Sequence, residues 1–314
     1  MNNNFQPDTP PSYYAPSEPK NAAYYRRCAR NVLQGNWVNL SLAQFVSTFI
    51  LEAAMGLSVL PGFVMAIVGA LMAEGGDYTL SFLPFIGLLL MYVLLFAVAI
   101  VLGGPFTVGI ARVHLNAVDK KPFSLGTIFS VFKQGLGRAI GLYSLYMLVV
   151  VGVAVLGALL MLGAICVLTV LLVAIFEVAS PFILIPFVLV FYFGVVALVA
   201  AFSYRYAMIF YIAADHPEMR AVEVLRASVT LMKGNKWRLF CLQFSFIGWS
   251  LLAAVAGMIT CGLGMLAIYP LAAYTATANA IFYDDISGRE TAQEECSDTS
   301  AFLINELPPE EPAE

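Results

Sequence analysis

Six long, predominantly apolar stretches set the rhythm of the chain: residues 37–60, 82–108, 139–165, 183–205, 239–260 and 264–283. A helix needs about 20 residues to cross a bilayer, because the hydrocarbon core is roughly 30 Å thick and each residue adds about 1.5 Å. All six stretches reach that length. Their apolar runs are continuous and do not alternate with period two, which argues for helices and against a β-barrel. Residues 61–73, PGFVMAIVGALMA, are too short for a seventh span. They either extend the first helix past Pro61 or lie against the outer interface. The stretch 139–204 has the length for three spans and is read as two, on grounds of charge given below.

Shorter segments precede three of the spans. ARNVLQGNWVNLSLAQF (29–45) resembles ASVTLMKGNKWRLFCLQF (227–244), with FSVFKQGLGRAIGLYSL (129–145) between them. Their glycines, Gly35, Gly135 and Gly234, are 100 and 99 residues apart. The pattern predicts three units, each a short helix, a glycine turn and a helical hairpin. In 218–233 an apolar stripe of Val222, Leu225, Val229 and Met232 faces Arg220, Glu223, Arg226, Thr230 and Lys233. Asp215 before Pro217 fits the start of that helix. Tyr25, Cys28, Ala29 and Val32 form the corresponding stripe in unit one. Such helices are expected to lie in the headgroup plane with the apolar side down, the alternative being docking on the inner face of the bundle. The fold class is therefore all-α: a polytopic membrane helix bundle of about six transmembrane helices in three helix-plus-hairpin units, with short interfacial amphipathic helices.

Composition agrees. The 314 residues are 61% hydrophobic and 11% charged, where a soluble domain carries roughly 25% charge. Residues 1–20 hold five prolines and no apolar core, so they read as a disordered cytoplasmic tail and not as a signal peptide. Residues 21–285 form the six-span membrane domain. Residues 286–314 read as a disordered acidic tail; past Tyr283 there are ten acidic residues and a single basic one, Arg289.

Charge also orients the chain, since Lys and Arg favour the cytoplasmic side. With an inside N-terminus and six spans, the inside segments hold four, five, six and one cations, all sixteen in the protein. An odd number of spans between Arg138 and Arg205 would place a large basic cluster outside. The expectation is a multipass cell-membrane protein with both termini cytoplasmic. Lys233, Gly234, Asn235, Lys236, Trp237 and Arg238 form a collar at the entrance of span five. Its three cations suit anionic phospholipid headgroups or the acidic surface of a membrane-protein partner, and Trp237 suits the interface.

At LMKGNKWRLFCLQFSFIGW (231–249) the chain resembles a family of bacterial multispan membrane proteins grouped as a domain of unknown function. The signature is an LMxGNKW-type run followed by a leucine-rich FxLxxSFIGW segment. GGPFTVGIAR (103–112), SYRYAMIFYIAADHPE (203–218) and YPLAAYTATANAIFYDD (269–285) match looser features of the family. The chain departs from it at Ala272 and Ala273, where a tyrosine commonly follows the proline, and in its longer, more apolar hairpins. The resemblance covers residues 22–285 and implies a multipass membrane protein with no assigned activity.

Candidate chemistry is sparse. Two histidines, His114 and His216, cannot build an HExxH motif or a histidine metal cluster. Five scattered cysteines, with no CxxC, argue against a disulfide framework or zinc site, and four of them read as buried small residues. GLGMLA (262–267) matches a dinucleotide fingerprint in letters only, lacking any βαβ context, and SVFK (130–133) is too short to weigh. No catalytic, cofactor or metal residue is assigned, and no nucleic-acid partner is expected. Ionisable residues within spans are functional candidates: Glu52 as an intramembrane site, Arg205 at the end of span four, and, more weakly, Glu177 at an outer turn. Pro270 is expected to kink span six.

Three functions of different class fit these residues. A non-catalytic scaffold or regulator of envelope processes fits the basic collars and the missing active site. A small transporter or channel fits the repeated hairpins, Pro270 and Glu52. A lipid-modifying enzyme would draw on Asp215, His216 and Glu218. A polar cavity at mid-membrane favours the second; an acid–histidine cluster in a cleft at headgroup depth favours the third.

Overall fold

The computed structural model describes residues 20–74, 82–176, 181–260 and 263–289. These form an all-α polytopic bundle in which six helical segments are long and apolar enough to cross a membrane. Glu177, Cys261, Cys296, the tails at 1–19 and 290–314, and most of the two expected outer turns lie outside the described residues.

Unit one is α1 (Ala22–Leu33), α2 (Trp37–Glu74) and α3 (Leu83–Val118). Unit two is α4 (Leu125–Lys133), α5 (Leu136–Phe176) and α6 (Pro181–Ser203), followed by a 3₁₀ turn at Tyr204–Tyr206 and the short α7 (Ile209–Asp215). Unit three is α8 (Ala221–Leu231), α9 (Lys236–Ile259), a 3₁₀ turn at Leu263–Ala267 and α10 (Ile268–Ser287). Residues 61–73 continue α2 through Pro61, so the first of the two alternatives holds. Pro270 sits in the first turn of α10, where its missing N–H costs little, just past the 3₁₀ turn at Leu263–Ala267.

The three units repeat in detail. Gly35, Gly135 and Gly234 all adopt positive φ, at 81°, 108° and 89°. An L side chain there strains against its own backbone, and glycine does not. Buried positions also recur, 99 and 100 residues apart: Leu40, Ala139 and Leu239; Ala43, Leu142 and Leu242. On the short helices, Ala29, Ile128 and Ser228 are each fully buried. A β-carbon at Gly234 would meet nothing within 4 Å, so a Gly234→Ala change acts through backbone strain alone. It should cost about 1–2 kcal/mol, measured as thermal stability in detergent. Gly234→Asn should cost less, because asparagine tolerates the left-handed region better. Equal losses for the two variants would locate the effect elsewhere.

The core lies at one end of the bundle. It gathers the short helices, the C-terminal parts of α3 and α10, the N-terminal parts of α5 and α9, and all of α7. The short helices therefore dock on the bundle and do not lie apolar side down in the headgroups. Tyr25, Cys28, Ala29 and Leu33 of α1 are at most 3% exposed, buried by protein. Val32, counted in that stripe, is only half-buried. In α8 the buried side is Val224, Leu225, Ser228, Leu231 and Met232, while Val222 faces out. The buried face is thus rotated from the expected stripe, and the helix starts later than expected. Arg220 is its N-cap, with the Glu223 carboxylate accepting from the Arg220 N–H. Asp215 instead ends α7. Away from this end the hairpins turn apolar side chains outward, among them Phe85, Leu89, Leu160 and Val190, as lipid-facing surfaces do.

Candidate functional site

The collar residues do not act alike. Lys233 and Gly234 are exposed at the elbow between α8 and α9. The Asn235 amide donates to the Leu231 carbonyl at 3.1 Å and accepts from Arg238 at 2.9 Å, tying the elbow together. Trp237 is 71% exposed and stacks on Phe240 at 5.1 Å. Lys236, half-buried, opens α9. Arg238 departs from the expected collar. It turns inward, and its guanidinium meets Asp285 at 2.7 Å. Arg238 directly precedes Leu239, which is fully buried, so it stands at the edge of the core, within reach of Asp285 from α10.

Asp285 is the centre of a first charge clamp. Its side chain is 2% exposed and takes Lys20 at 2.9 Å, Arg238 at 2.7 Å and the Tyr25 hydroxyl at 2.7 Å. Burial and the hydrogen bond to Asp285 push the Tyr25 phenol above its ordinary range, so it remains a donor. The clamp joins the N-terminal segment, α1, α9 and α10.

Arg289 is the centre of a second. It donates to both oxygens of Asp119, at 2.8 and 2.7 Å, the bidentate geometry that suits a guanidinium. Asp215 lies 3.4 Å and Asp284 3.7 Å away. Burial disfavours the Arg289 charge, but the three carboxylates outweigh it and raise its pKa. Tyr283 donates to Asp215 at 3.0 Å. This clamp joins the ends of α3, α7 and α10. Arg138, in the first turn of α5, adds a third tie. It donates to the carbonyls of Ala213, His216 and Met219 at 2.6, 2.9 and 3.0 Å, closing the C-terminal end of α7.

Asp284, Asp285 and Arg289 were expected in or beside a solvated acidic tail. That reading is corrected: α10 runs to Ser287, and Asp284 and Asp285 are at most 2% exposed. A signal was present in the sequence. Ile-Phe-Tyr followed by carboxylates occurs twice, at 209–215 and 281–285. Tyr211 and Tyr283 stack at 6.0 Å where the two copies meet.

Two expected sites, Glu52 and Arg205, stay apart from the clamps. Glu52 is exposed on α2. Arg205 is exposed past the end of α6, with its guanidinium 5.3 Å from the Phe202 ring centre. Asp215, His216 and Glu218 do come together: His216 Nδ1 is 3.1 Å from Glu218 and Nε2 is 3.6 Å from Asp215. The Asp215 carboxylate is engaged by Arg289 and Tyr283 as well. Cys28 is disulfide-bonded, contrary to the expectation of plain buried thiols, and Cys166 and Cys241 are free. Among the described residues no group of three His, Cys, Asp or Glu side chains could hold a metal ion.

The chain belongs to the DUF975 family, a protein family of unknown function, whose pattern it matches over residues 20–290. That range begins at Lys20 and ends just past Arg289, so both clamps fall inside it. No curated protein and no solved structure matches the chain.

Proposed function

We propose that the protein is a non-catalytic scaffold of the cell membrane, its clamped basic end and both termini in the cytoplasm, which gathers anionic phospholipid around itself. One observation carries this reading: the buried charges are paired with one another. Asp285 is occupied by Lys20, Arg238 and Tyr25, and Arg289 by three aspartates. Charges so matched hold helices in place; catalysis needs an acid or base free to exchange its proton. Lys233, Lys236 and Trp237 then face the headgroup region. The sixteen-to-none division of cations supports the orientation. The transporter reading has one observation in its favour, the fully buried His114 and Thr277 on two of the span-length helices, with Nδ1 and Oγ1 3.0 Å apart.

In intact cells a membrane-impermeant thiol reagent should label Asp77→Cys above the parent protein. Glu218→Cys should be labelled only after permeabilisation. The reverse pattern would overturn the orientation. For the lipid, a Lys233→Gln/Lys236→Gln variant should lose about 1 kcal/mol of anionic-lipid preference per charge in native mass spectrometry, with wild-type binding weakened by salt. Arg238 is left intact because it serves the clamp. Equal lipid retention by wild type and variant would remove the collar from the proposal, and solute flux through proteoliposomes would favour transport.

A further inference from the structure

Unit one departs from the other two units in the residue that precedes the buried trio. The residue before the buried trio Leu40, Ala139 and Leu239 is arginine in units two and three, Arg138 and Arg238, and asparagine in unit one, Asn39. Both arginines reach inward to protein acceptors. Asn39 instead lines a cavity of about 560 Å³ at the elbow between α1 and α2. Asn31, Gln34 and Asn36 line it from the same elbow, and Lys120 and Lys121 from the loop between α3 and α4. Among the described residues no carboxylate lines the cavity; Lys121 also pairs with Asp119 at 2.8 Å, and Lys120 is engaged as well. The side chains of the four carboxamides have no hydrogen-bond partner among the described residues.

The chemistry of this lining is specific. Carboxamides both donate and accept, which suits a hydroxyl-rich group, and ammonium groups suit a phosphate. The volume falls in the range of roughly 300–1,000 Å³ usual for small-molecule sites. Trp37, the residue after the elbow, is 37% exposed, and partly exposed tryptophan favours headgroup depth. We propose that this cavity binds a phosphorylated polyol, such as the glycerol phosphate headgroup of an anionic lipid. The inference deepens the scaffold reading and rests on it for the lipid source of the ligand.

The test compares wild type with an Asn39→Asp/Lys120→Asn variant. The variant shifts the charge at the cavity by two. The new carboxylate in the first turn of α2 favours the helix, and asparagine tolerates the positive φ of 54° at position 120; the thermal midpoint, measured beside lipid binding, tells loss of the site from loss of the fold. Native mass spectrometry should show the wild type preferring phosphatidylglycerol to phosphatidylcholine. The variant should lose that preference by about tenfold or more. Calorimetry with glycerol 3-phosphate separates the sources. Binding to wild type and not to the variant, with no difference in lipid retention, assigns the cavity to a soluble phosphopolyol. Lost lipid retention alone assigns it to the headgroup. Unchanged lipid retention together with no glycerol 3-phosphate binding by wild type overturns the proposal. If only the Lys233→Gln/Lys236→Gln variant loses lipid, the scaffold reading stands and the cavity proposal falls. Solute flux would sink the scaffold reading and leave the cavity intact.

Discussion

Replacing Asp285 with asparagine should destabilise the protein by about 3–5 kcal/mol, the usual cost of removing one partner from a buried ion pair. Asp285 is 2% exposed, and its carboxylate answers Lys20, Arg238 and Tyr25 together. The amide would keep the shape and lose the charge, leaving the Arg238 guanidinium, whose side chain is 18% exposed, without its counter-ion. The loss should appear as a lowered unfolding midpoint in detergent and as faster hydrogen exchange in α1 and in the first turns of α9. Removing both charges separates electrostatics from packing. An Arg238→Met/Asp285→Leu variant should recover most of the loss, because an apolar pair of similar volume escapes the desolvation penalty. If Asp285→Asn costs less than about 1 kcal/mol, comparable to an exposed pair, the clamp does not hold these helices together.

The second large effect belongs to Gly104 and Gly109 of α3. A β-carbon at Gly104 would lie 2.5 Å from the Ala139 carbonyl oxygen and 2.9 Å from Tyr143 Cβ. One at Gly109 would run into the carbonyl oxygen of Ile128. At both points the obstacle includes backbone of unit two, which cannot step aside as a flexible side chain can. Each alanine should therefore cost about 1–3 kcal/mol by overpacking and loosen the contact of α3 with α4 and α5. Gly152 of α5 is the control, since nothing lies within 4 Å of a β-carbon there. Gly152→Ala should be neutral or stabilise by up to about 1 kcal/mol through helix propensity. Thermal unfolding of the three variants in one detergent would rank them. A loss at Gly152 equal to that at Gly109 would mean that close helix packing is not the cause.

The same close approaches account for the GGPFTVGIAR segment, legible as a motif but not as a mechanism. Its first two glycines face Tyr143 and Ala139, and its third faces Ile128. A glycine in an apolar helix reads the same from sequence whether it faces lipid, as at Gly152, or a neighbouring backbone, as at Gly104.

The spans, the three units and their turns are legible in the residues alone. A bilayer requires unbroken apolar runs of a set length, and a left-handed turn selects glycine; both are local demands, written in consecutive residues. The gathering of the cations at one end of the hairpins can be read from the sequence as well. What each charge does there follows from how distant helices pack. Lys233 and Arg238 are five residues apart in one collar, yet one is exposed and the other is paired with Asp285. Asp284 and Asp285 open an acidic stretch that looks solvated, yet they are buried. The partners that separate these outcomes lie far along the chain: Tyr25 is 260 residues from Asp285, and Asp119 is 170 from Arg289. A charge enters a core only where an opposite charge and hydrogen bonds offset its desolvation, and that condition is met by the packing of distant helices.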